Sequence, residues 1–336
     1  MQITVCGGGG LGHTCSAILS TYPDVVVNLL TNHPEKRCKS FVVNDPDGNK
    51  INGKLNEITK DPKKAIDGSD IILLCLPSFL VEDTILQLKP YLKDNQILGT
   101  VVANSGFFVF CHKHLSSKAK LFGLQRVPYV SRVVEYGKQA NLLGYRSELF
   151  MAVENIDDAE NFRTLIEAMF GEKTSLVDTF YEVTLSNSNP ILHTGRLYTM
   201  FKDWDETPFD HCILFYHEWT DEASEIEIKM DAEFFTLLDT LRVDTSKIET
   251  LLAHYESTDA KGMTRKLKSI QSLSTIQSPM IEVPGGWEPD FSSRYFTEDF
   301  PYGLRMIHDL AHENGVEVPT IDLVYNWGLS KIKQND

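Results

Sequence analysis

Three glycines near the start of the chain have the spacing of a phosphate-binding loop. They fit G-x-G-x-x-G directly after the short apolar run Ile3–Cys6, and the following stretch Leu11–Tyr22 is typical of a helix. Such glycines allow a tight turn, a close approach of a pyrophosphate to the backbone, and close packing of a helix on a strand. The loop predicts dinucleotide binding, and a glycine turn without a ligand is the alternative. The residues predicted to contact the ligand are Gly7, Gly9, Gly10, Leu11 and Gly12.

The end of the second apolar run, Val25–Leu30, bears on which nicotinamide cofactor would bind. NAD-binding proteins typically carry an acidic residue there for the ribose 2′-hydroxyl. This chain has Asn32, and the cations Lys36 and Arg37 follow. Neutral residues followed by cations favour a 2′-phosphate, so the sequence predicts NADP in preference to NAD, with contacts from Asn32 and Arg37. A solvated helix face is the alternative for the two cations.

A second group of residues could transfer protons. Asn189 and Pro190 are typical of a helix start, which would put His193 in the first turn, where the helix dipole would lower its pKa. Asp299 precedes another predicted helix, whose positive end would keep the carboxylate ionised. Beside His193 it would hold one tautomer of the imidazole, as acid–base catalysis requires. Spacing alone leaves two alternatives open, a structural histidine and an aspartate that only caps its helix.

Predicted strands and helices alternate along the half of the chain that contains the glycine-rich loop. Apolar runs without polar alternation are typical of strands buried on both faces of a parallel sheet. Because helices separate them, the first half of the chain is predicted to be an α/β doubly wound parallel sheet of Rossmann type. Ser78 follows the third strand, where open sheets contact cofactors, and is a further candidate. The turn cluster Asn44–Asn49 predicts a hairpin within Phe41–Leu55. The predicted strands are Ile3–Cys6, Val25–Leu30, Ile71–Leu76, Ile97–Val102 and Lys120–Leu124.

The pattern changes near Val177. Downstream, apolar residues recur at helical spacing, and Asn314-Gly315 has the signature of a helix C-terminus. We therefore predict a dinucleotide-binding domain over residues 1–180 and an all-α domain over residues 181–336. The predicted helices of the second domain include Thr220–Val243, Ile248–Tyr255, Pro301–Glu313 and Pro319–Trp327.

Composition excludes several other classes of protein. The 336 residues carry a net charge of −15, which disfavours nucleic acid and acidic membranes as partners. Six cysteines without a C-x-x-C pair are typical of reduced thiols in a cytoplasmic protein. The longest apolar stretch, Ile71–Leu76, is far short of the ~20 residues that span a bilayer. The first residues do not have the pattern of a signal peptide. The prediction is a cytoplasmic protein with small-molecule partners.

Two histidine pairs have a spacing that could hold a metal ion. His112 and His114 alternate, and His308 and His312 are four residues apart on a predicted helix. No neighbouring carboxylate or cysteine in the sequence completes either set convincingly. The sequence therefore predicts no metal site, and both pairs are interpreted as solvated or helix-face histidines.

Four segments together resemble the octopine/nopaline dehydrogenase family, the opine dehydrogenases. They are the opening glycine loop, N-P-x-x-H ending at His193, FYHEWTDEASEIEIKMDAE, and S-R-Y-x-x-E-D-x-P-Y-G-L. The resemblance implies a Rossmann domain followed by a helical domain. It also implies NAD(P)H-dependent reductive condensation of the amine of an amino acid with a 2-oxo acid such as pyruvate, through an imine that is reduced by hydride.

The same resemblance implies roles for individual residues. The family's catalytic His–Asp pair would be His193 and Asp299, and its arginine for the oxo-acid carboxylate would be Arg294. The segment Gln125–Arg132 resembles a stretch that helps to hold the amino acid. The resemblance leaves the identity of the amino acid open. The residues assigned to substrate binding are Arg294, Arg132, Tyr129 and Asn189.

Two other functions are alternatives to the opine dehydrogenase activity. A 2-oxo-acid reductase resembling ketopantoate reductase shares the two-domain plan, but that family uses a lysine as its acid where this chain has His193. A non-catalytic NADPH-binding sensor is disfavoured because His193, Arg294 and Asp299 occur together with a complete cofactor loop. A homodimer through the helical domain is possible, although no particular residue indicates one.

Overall fold

The computed structural model of the protein describes residues 1–332. Contacts within the chain divide it into two units, Met1–Thr184 and Leu185–Asp336. The division falls shortly after the change of sequence pattern near Val177. The first unit is an α/β structure and the second is mainly helical.

The first unit is built on an eight-stranded sheet. Two hydrophobic clusters lie against this sheet. In its strand Ile71–Leu74, Ile71 and Leu73 belong to one cluster, and Ile72 and Leu74 belong to the other. This strand is therefore buried on both faces, as its apolar run predicts. The strands of the unit are β1 (Gln2–Cys6), β2 (Val26–Leu30), β3 (Ser40–Asn44), β4 (Lys50–Lys54), β5 (Glu57–Thr59), β6 (Ile71–Leu74), β7 (Ile97–Thr100), β8 (Lys120–Leu124), β9 (Tyr129–Glu135), β10 (Gln139–Tyr145), β11 (Leu149–Glu154) and β12 (Thr174–Leu176). The sheet order is β12-β11-β8-β7-β6-β1-β2-β5, and its pairs are parallel except β11 with β8. The predicted doubly wound topology is confirmed, because the chain runs outward from β1 in both directions.

A second sheet of four strands, in the order β4-β3-β10-β9, belongs to the same unit. Its β3–β4 hairpin confirms the hairpin expected within Phe41–Leu55. The β9–β10 hairpin, which turns at Gly137 with φ of +80°, was not predicted. The α-helices of the unit are α1 (Gly10–Leu19), α2 (Pro62–Ile66), α3 (Val81–Leu88), α4 (Phe107–His114), α5 (Ala159–Phe170) and α6 (Phe180–Thr184). Single 3₁₀ turns occur at Pro34–Lys36, Ser78–Leu80, Lys89–Tyr91 and Ala103–Ser105.

The second unit is helical, as predicted, but it also contains a short hairpin. This hairpin was not predicted from the sequence, and its Gly285 and Gly286 have φ of +102° and +148°. The helices and strands of the second unit are α7 (Asn189–Phe201), α8 (Asp221–Thr240), α9 (Leu251–His254), α10 (Ala260–Ser269), β13 (Met280–Val283), β14 (Gly286–Pro289), α11 (Arg294–Thr297), α12 (Arg305–Glu313) and α13 (Pro319–Ile332). A π-helix occurs at Asp299–Leu304, and 3₁₀ turns occur at Thr245–Lys247 and Gln271–Leu273. Within residues 1–332, no helix combines the length and the apolar character that a bilayer crossing requires.

Candidate active site

The glycine-rich loop connects β1 to α1. Gly7 has φ of +121°, and a Cβ there would lie 2.4 Å from the carbonyl oxygen of Cys75. At Gly12 a Cβ would lie 2.0 Å from the carbonyl oxygen of Gly7, so helix and strand pack too closely for a side chain. A Cβ at Gly9 would meet no described atom within 4 Å, and this residue begins α1 without a side-chain cap. The loop thus has a tight turn, an open approach and an uncapped helix N-terminus, which is the geometry that an anion-binding loop needs.

His13 holds Arg37 beside this loop. Arg37 Nη1 lies 2.9 Å from His13 Nδ1. Because arginine can only donate, Nδ1 accepts, and the proton on Nε2 is donated to the Val42 carbonyl at 3.2 Å. Burial lowers the pKa of His13 to about 4, which keeps the imidazole neutral near pH 7. The Arg37 guanidinium also lies over the Tyr136 ring, 4.4 Å from its centroid. A Cβ on Gly8 would lie 2.8 Å from Arg37 Nη2, so the cation directly faces the loop.

The Arg37 side chain has unused donors. Its Nε and Nη2 atoms are buried and have no hydrogen-bond partner among the described residues. Buried donors in folded proteins nearly always have partners, so an anion that reaches this position would satisfy them. Asn32, which precedes Arg37 by a few positions in the sequence, is exposed. Ser78 is half-buried and is the first residue of the 3₁₀ turn that follows β6. The uncapped start of α1 and the Arg37 cation beside it fit a nicotinamide dinucleotide, and the cofactor contacts of Asn32 and Ser78 stay predictions.

Two further loop residues line the start of α1. Gly10 lies against Ser131 of β9, whose hydroxyl donates to the Gly10 carbonyl at 2.9 Å. The same hydroxyl shares a hydrogen bond of 2.6 Å with Thr14. Leu11 is half-buried and packs on the hydrophobic core. The strand β9 therefore covers one side of the loop, although Ser131 was not singled out in the sequence.

Tyr129 does not have the role predicted for it. It is 2% exposed, belongs to the hydrophobic core of the first unit, and donates its hydroxyl to the Phe170 carbonyl at 2.7 Å. A side chain packed in this way cannot contact a substrate, so its assignment to substrate binding was wrong. Arg132 is exposed on the same strand, and its Nη1 donates to the Ser131 carbonyl at 3.1 Å. Its contact with the amino acid stays a prediction.

In the second unit, His193 and Asp299 lie together. The distance between His193 Nδ1 and Asp299 Oδ2 is 2.9 Å, and the two side chains are 14% and 24% exposed. An ionised carboxylate only accepts hydrogen bonds, so Nδ1 carries the proton and the lone pair of Nε2 points away from Asp299. The fold thus brings together two residues that are 106 positions apart in the chain.

The helix α7 begins one residue earlier than predicted. Ser188 is its N-cap, and the Ser188 carbonyl accepts from the backbone of Ile191 and Leu192. His193 is therefore the fifth helical residue and lies beyond the first turn. The dipole argument made for a first-turn histidine does not apply, because the effect falls off within that turn.

Asp299 is the first residue of a helical segment. The helix predicted from Pro301 begins two residues earlier, as a π-helix at Asp299–Leu304 that leads directly into α12. The predicted start was therefore wrong by two residues, whereas Asp299 does lie in the first turn, at the N-terminal end. A Cβ on Gly303 would lie 2.8 Å from Pro190 Cγ in α7, so this glycine lets the π-helix approach α7 closely. The close approach explains how Asp299 reaches His193.

Aromatic side chains surround the imidazole. The Tyr295 ring lies 4.9 Å from the His193 ring, and the Phe215 ring lies 5.7 Å from it. The Tyr216 hydroxyl is 3.4 Å from His193 Nε2. Burial raises the pKa of Tyr216, so this hydroxyl stays protonated and can donate to the Nε2 lone pair. Sequence reasoning missed both tyrosines, although they occur in the FYHEW and SRY segments that it quoted.

Arg294 and Asn189 are the two predicted substrate-binding residues of the second unit. The Arg294 side chain is 79% exposed and donates from Nη2 to Glu298 Oε2 at 2.6 Å, a pairing that raises the Arg294 pKa. Its other guanidinium donors remain available to a carboxylate. Asn189 is exposed at the first position of α7. The substrate contacts of both residues stay predictions.

Comparison with known proteins finds a family whose model matches the helical part of the chain. Residues 176–331 match the model of the α-helical domain of NAD/NADP octopine/nopaline dehydrogenases. The resemblance inferred from the four sequence segments is therefore confirmed, and His193, Tyr216 and Asp299 all lie within this domain.

The similarity to octopine dehydrogenases extends over nearly the whole chain. Octopine dehydrogenase from Mizuhopecten yessoensis is 26% identical over 365 residues, covering 99% of this chain and 90% of that protein. A solved complex of octopine dehydrogenase with NADH and L-arginine has a TM-score of 0.86 at 24% identity, covering 99% of this chain and 90% of that one. A complex with NADH and pyruvate has a TM-score of 0.82 at 23% identity, with 99% and 89% covered. At this level of identity, the solved structures establish a shared fold.

Proposed function

We propose that this protein is an opine dehydrogenase. It joins the amine of an amino acid to the carbonyl carbon of a 2-oxo acid such as pyruvate, and the resulting imine is reduced to a secondary amine. The observation that carries the proposal is the hydrogen bond of 2.9 Å between His193 and Asp299 within an octopine/nopaline dehydrogenase domain. The relatives support the substrate classes, since solved complexes of octopine dehydrogenase contain NADH with L-arginine or with pyruvate.

The cofactor is held by the first unit. The loop at Gly7, Gly9 and Gly12 would hold the pyrophosphate against the start of α1. When bound, the reduced nicotinamide supplies the hydride. We assign NADP in preference to NAD, because Arg37 has two buried nitrogens without a partner among the described residues and Asn32 stands where NAD-binding proteins have an acid.

His193 moves the protons of the condensation. Its Nε2 takes a proton from the substrate ammonium group, since only the free amine can attack the carbonyl carbon. After the attack, a proton moves from the new ammonium nitrogen to the oxygen, which forms the carbinolamine hydroxyl. His193 Nε2 then returns its proton to this hydroxyl, which leaves as water when the C–O bond breaks and the C=N bond of the protonated imine forms. Over both transfers the imidazole returns to its starting state, so the proton balance closes.

The neighbours of His193 prepare it for both steps. Asp299 fixes the proton on Nδ1 and stabilises the imidazolium that exists between the two transfers. Tyr216 donates to Nε2 in the free enzyme and is replaced there by the substrate. Arg294 binds the oxo-acid carboxylate through donors that Glu298 does not use.

The test is a substrate requirement. Oxidation of NADPH is followed at 340 nm with pyruvate alone, with an amino acid alone and with both, across a panel of amino acids. Oxidation that requires both substrates supports condensation. Oxidation with the oxo acid alone would assign a 2-oxo-acid reductase. Tight NADPH binding without oxidation for any pair would assign a non-catalytic sensor.

Two further properties belong to this proposal. A cytoplasmic location is supported by the six cysteines, all of which are unpaired in the structure. A homodimer stays a prediction, which light scattering on the purified chain would decide. The proposed enzymatic activity depends neither on the location of the protein nor on its oligomeric state.

A further inference from the structure

Helices α12 and α13 bring three possible metal ligands together. His308 and His312 are one turn apart on α12, and Asp322 lies in the first turn of α13. One ligand atom from each residue can be chosen so that all three lie within 4.8 Å of one another. The sequence shows no convincing third ligand near the histidine pair, and the fold supplies that ligand from the next helix.

The distances are close to those of a metal site. Asp322 Oδ1 accepts a hydrogen bond from His312 Nε2 at 2.8 Å and lies 3.5 Å from His308 Nε2. A bound ion would take the place of the proton on His312 Nε2. In a tetrahedral zinc site, with bonds of about 2.0–2.1 Å, the ligand atoms are about 3.3 Å apart. The two observed distances bracket that value, so small side-chain rotations would admit the ion.

A second carboxylate orients His308. His308 Nδ1 lies 2.8 Å from Asp309 Oδ1, and Asp309 is also bonded by Arg305 Nε at 3.2 Å. Since the carboxylate accepts, Nδ1 of His308 carries a proton, and in the neutral imidazole Nε2 presents its lone pair to the Asp322 oxygen. Two acceptors that face each other are stabilised by a cation between them. A carboxylate behind a ligating histidine is the usual outer-shell arrangement of metal sites.

We propose that His308, His312 and Asp322 bind one divalent transition-metal ion of the Zn²⁺ class. Two imidazoles and one carboxylate suit Zn²⁺, Co²⁺, Ni²⁺ or Cu²⁺ and do not suit Mg²⁺ or Ca²⁺. The three side chains are 20%, 51% and 33% exposed, so an ion can enter and water can fill the remaining position.

The bound ion would cross-link α12 to α13. The α12 helix continues directly from the π-helix that begins at Asp299, so the cross-link would stiffen the support of the catalytic carboxylate. The metal site does not depend on the proposed function, because its ligands are separate from His193 and Asp299. Its failure would leave the enzymatic proposal unchanged.

The experiment titrates metal alone into the full chain, prepared without a histidine tag and freed of metal by a chelator. Calorimetry with Zn²⁺ and the visible absorbance of Co²⁺ should each give one equivalent per chain, and Mg²⁺ should give none. Zn²⁺ at a hundredfold excess over Kd should raise Tm by about 5 °C.

Three variants locate the site. His312→Ala and Asp322→Asn should each weaken Zn²⁺ binding by about tenfold or more and abolish the Tm shift. The matched control is His254→Ala, which removes another exposed histidine paired with a carboxylate, Glu249. Circular dichroism before titration establishes that each variant is folded. Absence of binding by the unaltered chain, or equal binding by all three variants, would overturn the proposal.

Discussion

At the residue scale, one hydrogen bond determines which nitrogen of His193 can exchange a proton with a substrate. Asp299 occupies Nδ1, so Nε2 is the reactive position, and Tyr216 faces it. The pair was predictable only through the resemblance of two segments to the family, because spacing alone left a structural histidine and a helix-capping aspartate open. Tyr129 was misassigned because its burial depends on a second sheet that the sequence pattern did not reveal. His13 was missed because its role is to orient Arg37.

Replacement of His193 tests the proton-transfer role. His193→Ala should lower turnover by about 10²–10⁴-fold, the usual contribution of a general acid–base residue. Affinity for NADPH should barely change, because the glycine-rich loop belongs to the other unit. Steady-state kinetics and fluorescence titration of NADPH measure the two effects, with His254→Ala as the control. Equal losses of turnover and cofactor affinity would refute the assigned role.

Arg37 should decide the preference between cofactors. Arg37→Ala removes two donors assigned to the 2′-phosphate, and charge-assisted hydrogen bonds contribute about 1.5–3 kcal/mol. We expect NADPH affinity to fall by about tenfold or more while NADH affinity changes little. Binding titrations with both cofactors measure the ratio, and Lys36→Ala, at an exposed neighbour, is the control. A parallel loss for both cofactors would show that Arg37 does not read the phosphate.

At the scale of elements, strands and long helices followed from periodicity, whereas helix ends did not. The apolar runs located β1, β2, β6, β7 and β8 within a few residues, because burial on both faces leaves a continuous apolar pattern. The start of the helix at Asp299 was misplaced because Pro301 was interpreted as a first helical residue. In the structure that proline is the third residue of a π-helix, within the first turn, where a missing N–H is tolerated.

Gly303 should be required for the approach of the π-helix to α7. In Gly303→Ala, the new Cβ would lie 2.8 Å from Pro190 Cγ, and overpacking of this kind costs about 1–3 kcal/mol. We expect lower stability in urea and a larger relative loss of turnover, because Asp299 moves away from His193. The control is Gly144→Ala, where a Cβ would meet no described atom within 4 Å. Wild-type turnover in Gly303→Ala would contradict this explanation.

At the scale of the whole molecule, a doubly wound sheet followed by a helical unit was predictable from the change of pattern near Val177. The β9–β10 and β13–β14 hairpins were not, because short strands at the edge of a unit lack a continuous apolar signature. A buried acidic side chain was also unpredictable. Glu227 is fully buried in α8, and its carboxylate oxygens have no hydrogen-bond partner among the described residues.

Glu227 should give the folded chain a distinct pH dependence. Burial raises its pKa well above the usual range, despite the opposing charge of Arg196. The folded chain therefore keeps a proton that the unfolded chain loses above about pH 4.3. Since the folded state binds more protons, this residue makes the free energy of unfolding decrease with rising pH, by at most about 1.4 kcal/mol per pH unit.

Variants isolate this contribution from those of other groups. Relative to the wild type, Glu227→Gln should become progressively more stable in urea between pH 5 and 7. Glu225→Gln, at an exposed position of the same helix, should follow the wild-type curve. Parallel curves for Glu227→Gln and the wild type would mean that Glu227 is ionised in the folded chain.

The most direct test of the central claim is the mass spectrum of the product formed from pyruvate, an accepted amino acid and NADPH deuterated at the transferred position. Reductive condensation predicts one new secondary amine that contains the carbons of both substrates and one deuterium on the carbon bonded to nitrogen. Deuterated lactate with the amino acid unchanged would contradict it.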